Sequence, residues 1–315
     1  MRRMKTITTY KKHCTLLGLV EEKINKKMTK RIEKLSAKHN HNRQGSIAVF
    51  ANEHIGIQIN QHGIYDKLGL EILFHFLSPI SNQLSTGLAM DIGANIGNHS
   101  LYFSDHFKKV RSFEPNPATF TLLSFNLRGI SNAIPFNFGL GQESGQIELN
   151  ENMQNMGESS IVYKTQGNTR TVKIELKVLD EISSEITDLI FMKIDVEGYE
   201  HSVLAGGAST IERHQPIIVL EQHASEFSDG STDSIRLLSK LGYKFCWHQS
   251  ASKGKGWLRR QSDILFNSIF RSTQEYKIVT SDTVPVGKYG MLMAIPKRFQ
   301  AALGFEKSEG NRLDA

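Results

Sequence analysis

The chain has 315 residues, of which 39% are hydrophobic and 22% are charged, and its formal net charge is +6. These values exclude collagen, low-complexity arrays and disordered proteins, and no apolar run reaches the length that spans a bilayer. Cys14 and Cys246 are too few for a disulfide framework or a Cys-x-x-Cys metal site, and no apolar segment of a secretory signal follows the basic N-terminus. We therefore expect a globular, cytoplasmic protein with a sizeable core.

The positive charge is concentrated near the N-terminus. Residues 1–43 contain thirteen Lys or Arg and three Glu, a net charge of +10, so the rest of the chain carries −4. Such a basic arm favours an anionic neighbour, which could be lipid, nucleic acid or a polyanionic glycan. The alternative is a solvated segment that only aids solubility.

The first predicted elements lie before residue 78. Apolar side chains recur every three or four positions over residues 16–38 and predict a helix within the basic arm. Short alternating segments at 46–51 and 55–59 predict a β-hairpin. Residues 66–77 predict a second helix, which ends before Pro79.

From Leu88 onward, strands alternate with helices, which is the pattern of a parallel sheet covered on both faces. The predicted strands are residues 88–92, 109–113, 134–138, 188–194, 216–221, 243–248 and 289–295. The predicted helices are residues 98–107, 117–129, 200–213 and 231–241. Residues 145–178 alternate like hairpins and predict a β-rich insertion. The chain thus divides into a basic, partly helical arm (1–45), a main domain (46–299) and a polar tail (300–315).

Residues 88–99 read as an apolar strand, a glycine turn and the start of a helix. Gly93 and Gly97 let the backbone approach a ligand, and the helix start presents amide N–H groups to it. The spacing Asp91-x-Gly93-x-Asn95-x-Gly97 is neither the dinucleotide fingerprint GxGxxG nor a phosphate loop. Because Asp91 would repel a pyrophosphate and attract an ammonium group, a zwitterionic amino-acid moiety fits this loop better.

Glu114 stands at the tip of the next predicted strand, about 20 residues after the glycine loop, where an acid bonds ribose hydroxyls. A ligand with an amino-acid end, a ribose and no bridging phosphate matches S-adenosylmethionine. The candidate cofactor-binding residues are Asp91, Gly93, Asn95, Gly97, Glu114, Pro115, Asn116, Asn137 and Gly139.

Five segments together resemble the FkbM-type S-adenosylmethionine-dependent methyltransferases. They are MDIGANIGNHS at 90–100, SFEPNP at 112–117, NMGESSI at 155–161, KIDVEGYEHSVLAGG at 193–207 and PIIVLEQH at 216–223. The resemblance implies an α/β class I methyltransferase (Rossmann-like) fold, with a seven-stranded sheet, helices on both faces and an antiparallel final strand. It also implies methylation of a hydroxyl on a sugar, glycan or secondary metabolite, chiefly in bacteria, and a segment 155–161 that lies over cofactor and acceptor.

Asp195 is the first candidate for the group nearest the accepting hydroxyl. It follows the strand at 188–194, at the end of the sheet where ligands collect in open α/β folds. The alternative is a structural role in which the Asp195 carboxylate only organises its loop. Glu200, near the start of the following helix, complements the helix dipole.

A sugar hydroxyl is a weak nucleophile, so a base or a metal ion must assist its loss of a proton. Glu221 ends the strand beside the one that carries Asp195. Asp195 and Glu221 together could hold Mg²⁺ through oxygen ligands. Without a metal, Glu221 or His223 would orient or deprotonate the hydroxyl.

Two rival functions stay open. The basic arm and the run KGKGWLRR at 253–260 would suit a nucleic-acid methyltransferase. At the predicted strand that leads into Lys193–Gly198, however, the sequence lacks a base-flipping motif of the [DN]PP[YF] type, so nucleic acid is the less favoured partner. A non-catalytic binding module with the cofactor fold is the other rival. For residues 1–43 we expect peripheral contact with anionic lipid at the inner membrane face, or packing on the main domain or on a second copy.

Overall fold

The computed structural model describes residues 16–40, 47–51, 53–152, 169–250, 275–281 and 283–305. The helices in these ranges are α1 (Leu16–Asn40), α2 (His54–His62), α3 (Lys67–Phe76), α4 (Ser81–Leu84), α5 (Asn98–Ser104), α6 (Pro117–Asn126), α7 (Glu200–Gly206), α8 (Ala208–His214), α9 (Asp233–Lys240) and α10 (Lys297–Gln300). The strands are β1 (Leu88–Ile92), β2 (Lys109–Phe113), β3 (Ala133–Phe136), β4 (Gly139–Gly141), β5 (Gly145–Asn152), β6 (Thr169–Val178), β7 (Leu189–Ile194), β8 (Ile217–Gln222), β9 (Lys244–Ser250), β10 (Tyr276–Thr280) and β11 (Tyr289–Ile295).

The main sheet has eight strands in the order β10-β9-β11-β8-β7-β1-β2-β3. The strands from β3 through β2, β1 and β7 to β8 pair in parallel, whereas β11 runs antiparallel to both β8 and β9. The seven predicted strands and the antiparallel last strand are therefore confirmed. The edge strand β10, antiparallel to β9, is an addition that the sequence did not indicate.

Apolar layers cover both faces of this sheet, as predicted. On one face Ala89 and Phe191 pack with side chains of α3, α5 and α6, whereas on the other Met90 and Met192 pack with α7, α8 and α9. The alternation arises because successive residues of a strand point to opposite faces. Because β1 and β7 are buried on both sides, they read as almost continuous apolar runs.

The predicted β-rich insertion is confirmed as a second sheet with the order β4-β6-β5. β5 and β6 pair antiparallel over their whole length, from Gly145 opposite Leu176 to Asn152 opposite Thr169. Leu149, Ile174 and Leu176 form a small apolar cluster on it. The segment 155–161, which the family resemblance sets over the cofactor, lies outside the described residues.

The predicted hairpin at 46–51 and 55–59 is wrong, because residues 54–62 form helix α2. Ile59 is buried whereas Ile57 is 44% exposed. Gly56 packs so closely on the preceding chain that a Cβ there would lie 2.3 Å from the carbonyl oxygen of Phe50. Tertiary packing of this face outweighs the local alternation of isoleucines, which is a weak signal over so few residues.

The predicted single helix at 200–213 is also wrong in part, because α7 and α8 are separate helices that meet at Gly207. A Cβ at Gly207 would lie 2.7 Å from the side chain of Leu179, so the bare backbone permits a close contact there. The predicted arm helix at 16–38 is confirmed as α1, and it contacts α2. No helix in the described part of the chain is both long and apolar enough to cross a membrane.

Asn126, the last residue of α6, ties the chain before α2 to the glycine loop. Its Oδ1 accepts a hydrogen bond from the amide of Ala48, and its Nδ2 donates to the carbonyl oxygens of Ala48 (2.9 Å) and Ile96 (2.7 Å). Asn126 is only 6% exposed. Because all three bonds come from one buried amide, they fix the position of Ala48 against α6 and the glycine loop.

Candidate functional site

The loop after β1 has a backbone conformation that few residues other than glycine adopt. Gly93, Asn95 and Gly97 have φ angles of 76°, 49° and 89°. A Cβ on Gly93 would lie 1.8 Å from the carbonyl oxygen of Asp195, so the loops after β1 and β7 pack backbone against backbone. The Gly93 amide also donates to the carbonyl oxygen of Phe113 over 3.0 Å, which brings the end of β2 to the same place.

The carboxylate of Glu114 joins the loops after β1 and β2. Its oxygens accept hydrogen bonds from the amides of Asn95 (3.0 Å) and Asn116 (2.9 Å). The side-chain amide of Asn137 donates to the carbonyl oxygens of Glu114 (2.9 Å) and Pro115 (3.2 Å). Burial raises the pKa of Glu114 to about 7, against the lowering effect of the two amides. The structure thus brings these predicted cofactor residues into one hydrogen-bonded group.

Gly139 and Asn116 are two further predicted cofactor-binding residues, and they pack beside this group. A Cβ at Gly139 would lie 2.6 Å from the Leu176 side chain and 3.4 Å from Pro115, so glycine lets β4 pack closely on both residues. Asn116 caps α6, because its Oδ1 accepts from the Ala118 amide over 2.9 Å. The Nδ2 of Asn116 is buried and has no partner among the described residues. A buried donor without a partner is costly unless another molecule satisfies it.

Asp91 and Lys193 form a buried pair at the end of the sheet. Lys193 Nζ lies 3.7 Å from Asp91 Oδ1, and it donates a hydrogen bond to Asp195 Oδ2 over 3.0 Å. The Ser100 hydroxyl donates to Asp91 Oδ2 over 2.6 Å. Asp91 is fully buried. The ammonium group that this carboxylate meets in the structure is therefore the one on Lys193.

Asp195 is the carboxylate of this group that solvent can reach, since 34% of its side chain is exposed. Burial raises the pKa of a carboxyl, but here the charge and hydrogen bond of Lys193 outweigh burial and hold the pKa of Asp195 below its ordinary value. Asp195 and Asp91 in turn raise the pKa of Lys193, although desolvation acts to lower it. Asp195 is thus an ionised, oriented acceptor at neutral pH.

A second group, at the end of β8, faces Asp195. His223 Nε2 lies 3.7 Å from Glu221 Oε1 and 3.9 Å from Glu197 Oε2, while Lys288 Nζ lies 3.3 Å from Glu221 Oε1. Burial, with the Asp195 carboxylate next in size, raises the pKa of Glu221, and burial with Asp195 and Glu221 raises that of Glu197 to about 8. The structure therefore brings Asp195, Glu221 and His223 together as expected, and adds Glu197 and Lys288.

Glu200 holds the loop between β7 and α7. Its Oε1 accepts hydrogen bonds from the amides of Val196 (3.0 Å) and Gly198 (3.3 Å). The side chain is almost completely buried, and burial raises the pKa of Glu200 to about 7. The hydrogen bonds of Glu200 thus stabilise the backbone of the loop that follows Asp195.

The carboxylates of Asp195 and Glu221 are a poor fit for Mg²⁺. Asp195 already carries the Lys193 ammonium at 3.0 Å, and Glu221 has the Lys288 ammonium at 3.3 Å. Among the described residues, the side chains that place three ligand atoms within 4.8 Å of one another are Glu197, Glu221 and His223. A cation at the predicted pair would meet two carboxylates whose charges lysines already compensate, so this pair does not fit a Mg²⁺ site.

Besides Glu197 and Lys288, the sequence prediction missed Lys193 and Tyr65 in this region. Lys193 carried a usable signal, because a lysine inside the apolar strand Leu189–Ile194 needs an acidic partner on a neighbouring strand. Tyr65 carried none. Its backbone bonds the side chain of Asn98, and its ring lies beside His99 at the helix that follows the glycine loop. The basic run at 253–260 lies outside the described residues.

Comparison with known proteins identifies one family. Residues 91–245 match the model of the methyltransferase FkbM domain. The chain is 35% identical over 135 residues to the hexuronic acid methyltransferase AglP of Haloferax volcanii, a match that covers 42% of this chain and 55% of that protein. It is 28% identical over 171 residues to the methyltransferase sdnD of Sordaria araneosa, covering 43% of this chain and 66% of that one. The matches thus span between about half and two thirds of the length of these relatives.

Among solved structures, the chain is similar to that of the methyltransferase FkbM from Methylobacillus flagellatus KT. It is 18% identical to this chain with a TM-score of 0.36, and the alignment covers 60% of this chain and 56% of that one.

Proposed function

Residues 91–245 are a domain of the FkbM methyltransferase family, and on that premise we propose that the chain transfers the methyl group of S-adenosylmethionine to a hydroxyl oxygen of a sugar, glycan or related metabolite. The observation that carries the proposal is the apposition of two loops. The glycine loop, which is suited to the cofactor, packs directly on the backbone of Asp195, which faces the proposed acceptor. A methyl donor and an acceptor hydroxyl would therefore meet between them.

The cofactor would occupy the group around the glycine loop. Glu114 lies at the tip of β2, where ribose hydroxyls are bound in open α/β sheets, and each of its oxygens has further lone pairs beyond the one amide bond that it accepts. The unpartnered Nδ2 of Asn116 adds a hydrogen-bond donor to the same group. When bound, S-adenosylmethionine supplies a methyl group on a positively charged sulfur.

Methyl transfer is an in-line displacement that depends on positioning. The hydroxyl oxygen forms a bond to the methyl carbon while the carbon–sulfur bond breaks, and the electron pair stays on sulfur. Asp195, ionised by its pairing with Lys193, would accept a hydrogen bond from the hydroxyl and orient it. The hydroxyl proton passes to a base.

Glu221 suits the role of base better than Asp195. Burial and the Asp195 carboxylate raise the pKa of Glu221, whereas Lys193 lowers that of Asp195. A base with a higher pKa binds the released proton more strongly. His223, 3.7 Å from Glu221, would share the proton and pass it to solvent. The lysines paired with Asp195 and Glu221 support a route without a metal.

We also propose that the basic arm, residues 1–45, attaches the main domain (46–299) to an anionic membrane surface, with residues 300–315 as a polar tail. Val20, Ile24, Met28 and Ile32 form an apolar stripe on α1 at four-residue steps, each about half exposed. Exposed lysines flank the stripe, among them Lys23, Lys27 and Lys30. This is the pattern of a helix that lies in the plane of an anionic bilayer surface.

Transfer of a tritiated methyl group tests the function. The protein would be incubated with labelled S-adenosylmethionine and, in separate reactions, methyl glycosides of neutral hexoses, methyl glycosides of hexuronic acids, and total RNA. We expect label in a glycoside fraction, and a decrease in rate of about 100-fold or more for Asp195→Asn. Asp105→Asn, at an exposed aspartate after α5, is the matched control and should retain the wild-type rate. Label in RNA with none in any glycoside would overturn the proposal.

A further inference from the structure

Tyr65, which lies between α2 and α3, is hydrogen-bonded to the first residue of α5, the helix that follows the glycine loop. Its amide donates to Asn98 Oδ1 over 3.0 Å, and Asn98 Nδ2 donates back to the carbonyl oxygen of Tyr65 over 3.1 Å. Asn98 is the first residue of α5 and only 4% exposed. The reciprocal bonds fix both the position and the orientation of the Tyr65 backbone.

The ring of Tyr65 is held between two imidazoles. It lies edge-on to His99 and to His54, with centroids 6.2 Å apart in both cases. Asp66 follows with a φ of 49°, a conformation that turns the chain sharply into α3. These contacts hold the side chain in a defined place although it belongs to a connecting segment.

The Tyr65 hydroxyl lies in the same electrostatic field as the proposed reaction centre. Burial, then the carboxylates of Asp195, Asp66 and Glu221, raise the pKa of Tyr65, while Lys193 acts to lower it. The phenol therefore keeps its proton. No described residue forms a hydrogen bond with the Tyr65 hydroxyl, so this donor is available to a bound molecule.

His99 offers a second unused polar atom beside it. The residue is 9% exposed, and its Nε2 is buried without a hydrogen-bond partner among the described residues. Desolvation, with the charge of Lys193 next in size, lowers the pKa of His99 to about 3, although the Asp195 carboxylate acts to raise it. The imidazole is thus neutral, and a neutral hydroxyl group is a suitable partner for it.

We propose that Tyr65 and His99 form an acceptor subsite that binds a second hydroxyl of the sugar, next to the hydroxyl that is methylated. The Tyr65 side chain would contact the sugar ring as well as bond its hydroxyl. The inference rests on the proposed function, and it names the substrate class as a neutral polyhydroxyl compound. An anionic group is disfavoured because the carboxylates of Asp195, Asp66 and Glu221 act on the phenol and together outweigh the opposing charge of Lys193.

Steady-state kinetics with defined glycosides tests the subsite. The variants are Tyr65→Phe and Tyr65→Ala, and the control is Tyr102→Phe, whose ring packs on Phe74 and His106 instead. With methyl α-D-glucopyranoside as acceptor, we expect Tyr65→Phe to raise KM about tenfold, the effect of one lost hydrogen bond, and to change kcat little. Tyr65→Ala should raise KM further, and the affinity for S-adenosylhomocysteine, measured by calorimetry, should stay as in wild type for both.

Monodeoxy analogues of the same glycoside locate the hydroxyl. One analogue should raise KM about tenfold for the wild type and not at all for Tyr65→Phe, because the variant has already lost that bond. An unchanged KM in Tyr65→Phe would overturn the inference and leave the methyltransferase function intact. Weaker binding of S-adenosylhomocysteine would also overturn it and assign Tyr65 to the cofactor. If the wild type methylates no glycoside, the proposed function fails, and the inference fails with it.

Discussion

Asp91 and Lys193 lie directly opposite each other on the adjacent parallel strands β1 and β7, with their charged atoms 3.7 Å apart. Lys193 also donates to Asp195, two residues further along its own chain. One ammonium group therefore compensates a fully buried carboxylate and a partly exposed one. Asp91, at the end of β1, and Asp195, which would face the proposed acceptor, therefore share the single positive charge of Lys193.

Removing this charge should destabilise the fold. We expect Lys193→Met to lower the free energy of unfolding by about 3–5 kcal/mol at neutral pH, because Asp91 is left as a buried and uncompensated carboxylate. Denaturant unfolding measures the change. Lys67→Met, which removes an exposed pair with Glu71, is the control and should cost less than about 1 kcal/mol. Equal stability of Lys193→Met and wild type would contradict the shared-charge arrangement.

Loss of the Glu114 carboxylate should weaken cofactor binding. Glu114→Ala removes the acceptor for the amides of Asn95 and Asn116, and with it the proposed ribose contact. We expect the affinity for S-adenosylhomocysteine to fall by about 1–3 kcal/mol, measured by calorimetry. Glu148→Ala, at an exposed position of β5, should bind as the wild type does. Unchanged binding by a folded Glu114→Ala would remove Glu114 from the cofactor site.

Stability should fall as the pH rises from weakly acidic to weakly alkaline values. Burial is the main cause that raises the pKa of Glu114 and Glu200 to about 7 and of Glu197 to about 8, from an ordinary 4.5. The folded chain thus holds protons that the unfolded chain releases above pH 4.5, so their contribution to stability is lost as the pH rises through 7 and 8.

Thermal unfolding as a function of pH measures this loss. Glu197→Gln should show a shallower decline than wild type between pH 5 and 8.5, since glutamine holds no titrating proton. Glu148→Gln, at an exposed site, should follow the wild-type curve. A wild-type melting temperature that increases steadily over this range would show that the three glutamates are ionised in the folded chain.

Chelation should leave the reaction intact. Because lysines compensate Asp195 and Glu221, we expect dialysis against EDTA to change the rate of tritium transfer by less than a factor of about two. The rate would be measured again after addition of Mg²⁺ or Mn²⁺. Loss on chelation and recovery with a divalent ion would instead indicate a site at Glu197, Glu221 and His223.

The arm should bind anionic membranes through both its charge and its apolar stripe. We expect the full chain to sediment with phosphatidylserine-containing vesicles at low salt and less at high salt, while a chain that begins at Gln44 stays in the supernatant. Replacing Ile24 and Met28 by Ser should weaken sedimentation at low salt without changing the charge. Equal sedimentation of the full and shortened chains would rule out a membrane role for residues 1–43.

The sheet was predictable because its strands leave a strong pattern in the sequence. β1, β7 and β8 are short apolar runs, each followed by a polar turn, and such runs are typical of strands buried on both faces. The glycine loop was predictable because the φ angles of 76° at Gly93 and 89° at Gly97 favour glycine. The position of Glu114 was predictable because it directly follows the short strand β2. These signals lie in consecutive residues, so they can be recognised in the sequence without knowledge of the fold.

The rest depends on contacts between distant segments. The isoleucines at 55, 57 and 59 alternate as in a strand, but the segment forms helix α2, in which Gly56 packs on the backbone of Phe50. Tyr65 contacts the helix that follows the glycine loop through Asn98 and His99, which lie 33 and 34 positions later in the chain. No periodicity or spacing in the sequence encodes such a meeting, because it depends on how complete elements dock.

The hydrogen bonds between Asn126 and Ala48 limit how far the chain can be truncated at its N-terminal side. A fragment limited to residues 91–245 would lose Ala48, leaving one donor and one acceptor of the buried Asn126 amide unsatisfied. It would also lose β11 and all but two residues of β9, which would leave β8 as an unpaired edge strand. The smallest autonomous folding unit is therefore larger than the region that homology delimits, and it extends from before α2 to at least the end of β11.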